Sequence, residues 1–322
     1  MTCRQRPMKV LGQPTRRLLA TTVVVATASA RREIGERVGE PKPNYAAAVA
    51  DDVIDDVVDD AAVADDPDYS LLDRGGASAA IFFPRPDPSP TPAAATDHLV
   101  EVGDGVSIAA RRYETDAHGP TIVYFHGNGE VAGDHDDIAP LYHSIGMNLF
   151  VFEFRGYGRS TGSPTMEHLI ADGAVCGKRA LELLDADGFD GPRFVMGRSL
   201  GANPALEAAA RVPGYRGLIL ESGAGNVARF VDRLGLQPSV ELDRLVAAHE
   251  AKLAAITMPT LIIHGLLDNL VPVDNALATA EFLSASEVTT ELVEGAGHND
   301  LLLVDPGRYI NAIARLAETA HG

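Results

Sequence analysis

From His98 onward the chain alternates between short apolar runs and longer mixed stretches. The runs are Thr121–Gly127 (TIVYFHG), Asn148–Gly156 (NLFVFEFRG), Arg193–Ser199 (RFVMGRS), Gly217–Ser222 (GLILES), Thr260–Gly265 (TLIIHG) and Thr289–Gly295 (TTELVEG). Most are nearly continuous in β-branched residues, leucine and phenylalanine, the pattern of strands covered on both faces. Between and after them, Met166–Asp185, Leu200–Val212, Asn275–Leu283 and Pro306–Ala320 read as helices. Within His98–Glu114, two extended runs flank Gly103-Asp104-Gly105, which predicts a β-hairpin. Strands alternating with helices predict an α/β fold: a mostly parallel central sheet with helices on both faces. Only about Gly223–Pro259 separates GLILES from TLIIHG. Two short helical patterns fill it, which predicts a small cap and an open site.

The first part of the chain follows other rules. Residues 1–30 carry Arg4, Arg6, Lys9, Arg16 and Arg17, then a mildly apolar stretch ending in Ala28-Ser29-Ala30. These are the parts of a signal peptide, and TRRLLA is similar to a twin-arginine export signal. Arg31 and Arg32 directly after the cleavage-like site weigh against export. So does the lack of methionine between Met8 and Met147, which leaves room for a spurious leader. A cytoplasmic enzyme is the expectation, and export is the alternative. Residues 31–68 contain DDVIDDVVDDAAVADDPD and read as a solvated acidic linker. Residues 69–322 then form the catalytic domain.

Composition narrows the function classes. The 322 residues are 46% hydrophobic, enough for a large core, and the net charge is −18. Such a surface does not suit nucleic acid or an anionic membrane. Cys3 and Cys176 give neither a disulfide framework nor a zinc pattern, and Cys176 reads as a small buried apolar residue. Gly133–Asp137 (GDHDD) reads as a helix start rather than a metal site. Gly156–Gly162 has the spacing of a phosphate loop, but Pro164 follows and the acidic residue of a nucleotide site is absent. No metal, cofactor, nucleic-acid partner or transmembrane anchor is expected, and the oligomeric state is not legible.

The candidate chemistry lies at the strand ends, where a parallel sheet collects its reactive groups. Ser199 stands between Gly197 and Gly201 in GRSLG, where a strand pattern becomes a helix pattern. A serine nucleophile must be exposed and must have a base, and a sharp strand-to-helix turn between glycines provides the exposure. His298 follows the last strand as the candidate base. Asp268 follows TLIIHG as the group that orients it. Glu221 and Asp300 are competing acids, with Asp300 read as a helix cap. An oxyanion needs fixed N–H donors. Leu200 is one candidate, and Asn128, then Gly127, in HGNGE is the other. Phe230, Leu234 and Leu236 either line an acyl groove or belong to the core.

The pieces YFHGNGE, FEFRGYGRSTGSP, GRSLGA, LIIHGLLDNLVP and GAGHND, in this order, resemble the α/β-hydrolase superfamily of serine hydrolases, from about Asp97 to the C-terminus. They look most similar to the branch with depalmitoylating thioesterases and lysophospholipase-like enzymes. The resemblance implies a Ser199–His298–Asp268 triad and an ester or thioester with a small-molecule or lipid-like acyl group as substrate. It also implies a structural loop at 154–162, with Gly156 and Gly158 making the turn and Arg155 bonded within the scaffold. An amidase or peptidase would use the same triad, and a binding protein on a degenerate hydrolase fold is the non-enzymatic alternative.

Overall fold

The computed structural model describes residues 66–223, 225–283 and 287–319. The leader and nearly all of the acidic stretch lie outside the described residues. Among the described residues, eight strands form one sheet: β1 (Ala95–Gly103), β2 (Val106–Tyr113), β3 (Thr121–Phe125), β4 (Asn148–Phe152), β5 (Arg193–Arg198), β6 (Tyr215–Glu221), β7 (Thr260–Gly265) and β8 (Val288–Val293). Their order is β1-β2-β4-β3-β5-β6-β7-β8. β1 and β2 form the expected antiparallel hairpin, and β2 pairs antiparallel with β4. From β4 to β8 every pairing is parallel.

Successive side chains of a strand point to opposite faces. Val123, Phe125, Phe150, Phe152 and Val195 therefore enter one core, and Ile122, Tyr124, Leu149, Val151 and Phe194 enter the other. Both faces being apolar is why the runs show no polar alternation. On the first face lie α2 (Met166–Ala186) and α3 (Ala202–Arg211), the second of which contributes Ala205, Leu206 and Ala208. On the other face lie α1 (Ala139–His143) and α8 (Pro306–Thr319), through Tyr142, Tyr309 and Ile313. Cys176 is buried in α2, and burial pushes its thiol well up.

The cap between β6 and β7 is small. It holds α4 (Val227–Arg233), capped by the Asn226 side chain, and α5 (Val240–Ala254), capped by Ser239. Two further helices, α6 (Val273–Phe282) and α7 (Leu301–Val304), follow β7 and the loop after β8.

An arm that hydrophobic periodicity does not reveal runs from residue 66 to β1. Its 3₁₀ turns over Tyr69–Ala80 break at Arg74–Gly76, and Tyr69, Leu71 and Leu72 are buried. The Asp73 carboxylate accepts the N–H groups of Met166 (2.8 Å) and Glu167 (3.0 Å), so the arm caps α2 across more than 90 residues.

Candidate active site

β5 ends at Arg198, and Ser199 begins a 3₁₀ turn, Ser199–Gly201, that leads into α3. The helix therefore starts two residues later than its pattern suggests. Ser199 has φ +50°, a left-handed conformation that an L-residue seldom adopts outside a constrained turn. The flanking glycines follow from close approach. A Cβ on Gly201 would strike the carbonyl oxygens of Phe125 and His126, and one on Gly197 would strike that of Gly201.

The turn brings together side chains distant in sequence. Ser199 Oγ lies 2.8 Å from His298 Nε2, and His298 Nδ1 lies 2.7 Å from Asp268 Oδ2. The Asp268 side chain is fully buried. Its Oδ1 accepts the N–H groups of Leu270 (2.9 Å) and Val271 (2.8 Å), which fixes the carboxylate plane. The buried His264 donates from Nε2 to the Val271 carbonyl at 2.7 Å, and the same nitrogen stands 3.4 Å from Asp268 Oδ2. Burial lowers the His264 imidazole below its ordinary value. The loops bearing Asp268 and His298 are tied directly, since the Leu267 N–H donates to the Ala296 carbonyl at 2.8 Å. Of the competing acids, Glu221 turns to Arg198 and Tyr309 instead. Asp300 precedes α7, but its carboxylate makes no capping bond to that helix. It accepts the Gly297 N–H at 2.6 Å and so braces the His298 loop.

The loop after β3 passes beside the elbow. The Asn128 side chain is spent on the scaffold: Oδ1 accepts the Tyr157 hydroxyl (2.6 Å) and the Phe83 N–H (3.1 Å), and Nδ2 donates to the Ile81 carbonyl (2.5 Å). The Gly127 N–H, the second candidate oxyanion donor, is already taken by Glu130 Oε2 at 2.9 Å. In this arrangement the Gly127 N–H faces the scaffold carboxylate. Leu200 is buried in the first turn after Ser199, where N–H groups have no partner within the helix.

A family model described as serine aminopeptidase, S33 matches residues 116–238. An uncharacterised protein of Mycobacterium tuberculosis is 30% identical over 255 residues, which span 74% of this chain and 87% of that protein. The human alpha/beta hydrolase domain-containing protein 17B is 30% identical over 205 residues, 60% of this chain and 64% of its own length. The chain belongs to the α/β-hydrolase superfamily. Among solved structures, an esterase of Pyrococcus furiosus superposes on this hydrolase with a TM-score of 0.61 at 19% identity, covering 75% of this chain and 100% of that one. At that identity the likeness speaks for the fold.

In this hydrolase the 154–162 loop is bonded inward. Arg155 forms a two-pronged pair with Asp172 on α2, at 2.7 and 2.8 Å, and Gly156 and Gly158 both have positive φ. The Asp-rich segment is spent on neighbours: Asp134 accepts the Val131 N–H and pairs with Arg85, while Asp136 accepts from Arg111 and Tyr113. Phe230, Leu234 and Leu236 are half-buried against the main core. Among the described residues, no helix is long and apolar enough to cross a membrane. Sequence reasoning missed Tyr157, Arg198 and the arm residues 81–83. Arg198 fills the variable position of GRSLG, and the arm reaches the site through backbone groups, so no residue type marks it.

Proposed function

We propose that this hydrolase cleaves a carboxylic ester or thioester through an acyl-enzyme, with Ser199 as nucleophile, His298 as base and Asp268 as orienting acid. The observation that carries the reading is the unbroken hydrogen-bonded chain from Ser199 Oγ through the imidazole to the buried Asp268. His298 takes the Ser199 proton as Oγ attacks the carbonyl, then passes it to the leaving group. Asp268 holds the imidazole in the tautomer whose Nε2 accepts, and it stabilises the imidazolium. The backbone N–H groups of Leu200 and Asn128 are the proposed oxyanion donors. Water then attacks the acyl-enzyme, with His298 again acting as base.

A small cap leaves an acyl chain or a bulky leaving group room to enter. The aminopeptidase description of the matching family model favours a second reading, in which an amide is cleaved by the same groups. Purified protein and Ser199→Ala, assayed on p-nitrophenyl esters of two to sixteen carbons and on aminoacyl-p-nitroanilides, separate the two. Serine-dependent turnover of esters alone supports the esterase, and turnover of anilides supports the amidase. Retention of ester hydrolysis by Ser199→Ala would overturn both.

A further inference from the structure

Arg198 is a cation with only 13% of its side chain exposed, immediately before the proposed nucleophile. A buried charge is costly unless it is paired and its donors are used. Here the donors are divided among two loops and a strand end. Nη1 pairs with Glu130, in the loop after β3. Nε donates to Glu221 Oε1 at 3.2 Å, at the end of β6. Nη2 donates to the His298 carbonyl at 3.2 Å and to Asn299 Oδ1 at 2.8 Å, in the loop after β8.

The two carboxylate partners are themselves held. Glu130 accepts the Gly127 N–H through its other oxygen, so the ion pair closes the turn that presents Asn128. Burial raises the Glu130 carboxyl most, but Arg198, the nearby His135 and His126 and the Gly127 N–H together hold that group below its ordinary value. Glu221 Oε2 accepts the Tyr309 hydroxyl at 2.8 Å, which anchors the network to α8. A Cβ on Gly127 would collide with Arg198 Nη1. The guanidinium and the oxyanion loop are thus in direct contact.

We propose that Arg198 is a positioning residue that sets the oxyanion loop and the base loop against Ser199 at the same time. This rests on the reading of the protein as a Ser199 hydrolase. The planar fork is what the task needs, because a lysine has one compact ammonium and cannot reach three separated acceptors. Arg198 touches no reacting atom, and its effect runs through the Asn128 turn and the His298 backbone.

The test compares wild type, Arg198→Met, Arg198→Lys, Glu130→Gln and the Arg198→Met/Glu130→Gln double variant. The readouts are kcat and KM on p-nitrophenyl butyrate, the rate of fluorophosphonate labelling and the urea midpoint. Misplacing reacting groups by about 1 Å costs on the order of 10²-fold in rate. Arg198→Met is therefore expected to lower kcat and the labelling rate about 10²-fold with KM nearly unchanged, and Arg198→Lys to recover part of that loss. Glu130→Gln, which keeps the shape, is expected to lower kcat about tenfold and to add little on top of Arg198→Met. A kcat within about threefold of wild type in Arg198→Met, with only the urea midpoint reduced, would overturn the proposal. If Arg198→Met does not fold, an unchanged kcat in Glu130→Gln does the same. A wild-type protein that neither turns over esters nor labels at Ser199 removes the hydrolase reading, and this inference with it. Active wild type with indifferent Arg198 and Glu130 variants removes the inference alone.

Discussion

The Tyr157 hydroxyl donates to Asn128 Oδ1 across 2.6 Å, so the loop after β4 steadies the loop after β3. The Phe83 N–H meets both groups, at 2.9 Å from the hydroxyl and 3.1 Å from the amide oxygen. Removing the hydroxyl leaves the amide one donor short. Tyr157→Phe should lower stability by about 1 kcal/mol, the usual worth of such a bond. It should also lower kcat several-fold by loosening the Asn128 turn. Urea unfolding and ester kinetics on the same preparation check both, and an unchanged kcat would free Asn128 from any dependence on Tyr157.

Asp268→Asn should leave the fold almost untouched while reducing kcat by about 10⁴-fold. The amide oxygen can still accept the Leu270 and Val271 N–H groups. Its NH₂ would then face His298 Nδ1 and favour the tautomer that cannot take a proton at Nε2. Circular dichroism and steady-state kinetics decide this. A variant with more than a tenth of wild-type kcat would displace Asp268 from its proposed role.

The φ of +50° at Ser199 predicts a contest between stability and activity. Ser199→Gly and Ser199→Ala should both lose about 10⁴-fold or more in kcat. Glycine accepts a left-handed backbone without steric cost, whereas alanine does not. Ser199→Gly should therefore be more stable than Ser199→Ala by about 1 kcal/mol in urea. The reverse order would mean that the elbow carries no strain.

His249 is buried in α5 between the Tyr69 hydroxyl, 2.7 Å from Nδ1, and the Gly225 carbonyl, 2.8 Å from Nε2. Both contacts are satisfied by the neutral ring. Burial, then the nearby Lys252 charge, pull its pKa down to about 4. The unfolded chain binds this proton near the ordinary histidine value of about 6.5, well before the folded one does. The stabilisation is thus complete above about pH 6.5 and is lost as pH falls toward 4, by roughly 3 kcal/mol at the limit. The stability difference between wild type and His249→Gln should shrink accordingly between pH 7 and pH 4.5. A difference independent of pH would show that His249 does not titrate on unfolding.

The Asp73 carboxylate supplies a cap to α2 from outside the helix, beside the local cap from Thr165. Asp73→Ala should cost about 1 kcal/mol, the typical value of a lost N-cap. It should leave kcat within twofold, because the contact lies on the arm and the helix and not on the segments that Arg198 joins around Ser199. Thermal unfolding together with ester kinetics tests the separation.

Much of the sheet was legible because a parallel strand inside the sheet must be apolar on both faces, as TIVYF and NLFVF are. The positions of Ser199, Asp268 and His298 were legible for a related reason: they follow strands at the end of the sheet where loops converge. Residues whose importance lies in partners far away in sequence were not. Asn128 reads as an oxyanion-loop residue, yet its side chain serves Phe83, Ile81 and Tyr157. Asp300 has the residue type and place of a helix cap, yet Gly297 captures its carboxylate. The arm before β1 has no regular period, since it docks through single side chains and backbone groups rather than through one repeating face.

Ser199 and His298 are 99 residues apart along the chain. During synthesis the elbow and most of the sheet emerge from the ribosome before either Asp268 or His298 has been made. On the proposed mechanism, a nascent or prematurely terminated chain therefore holds the nucleophile before the base that would draw off its proton exists. On that mechanism, whatever acyl groups surround the growing polypeptide, hydrolysis would begin only once the last strand and its loop have closed onto the sheet.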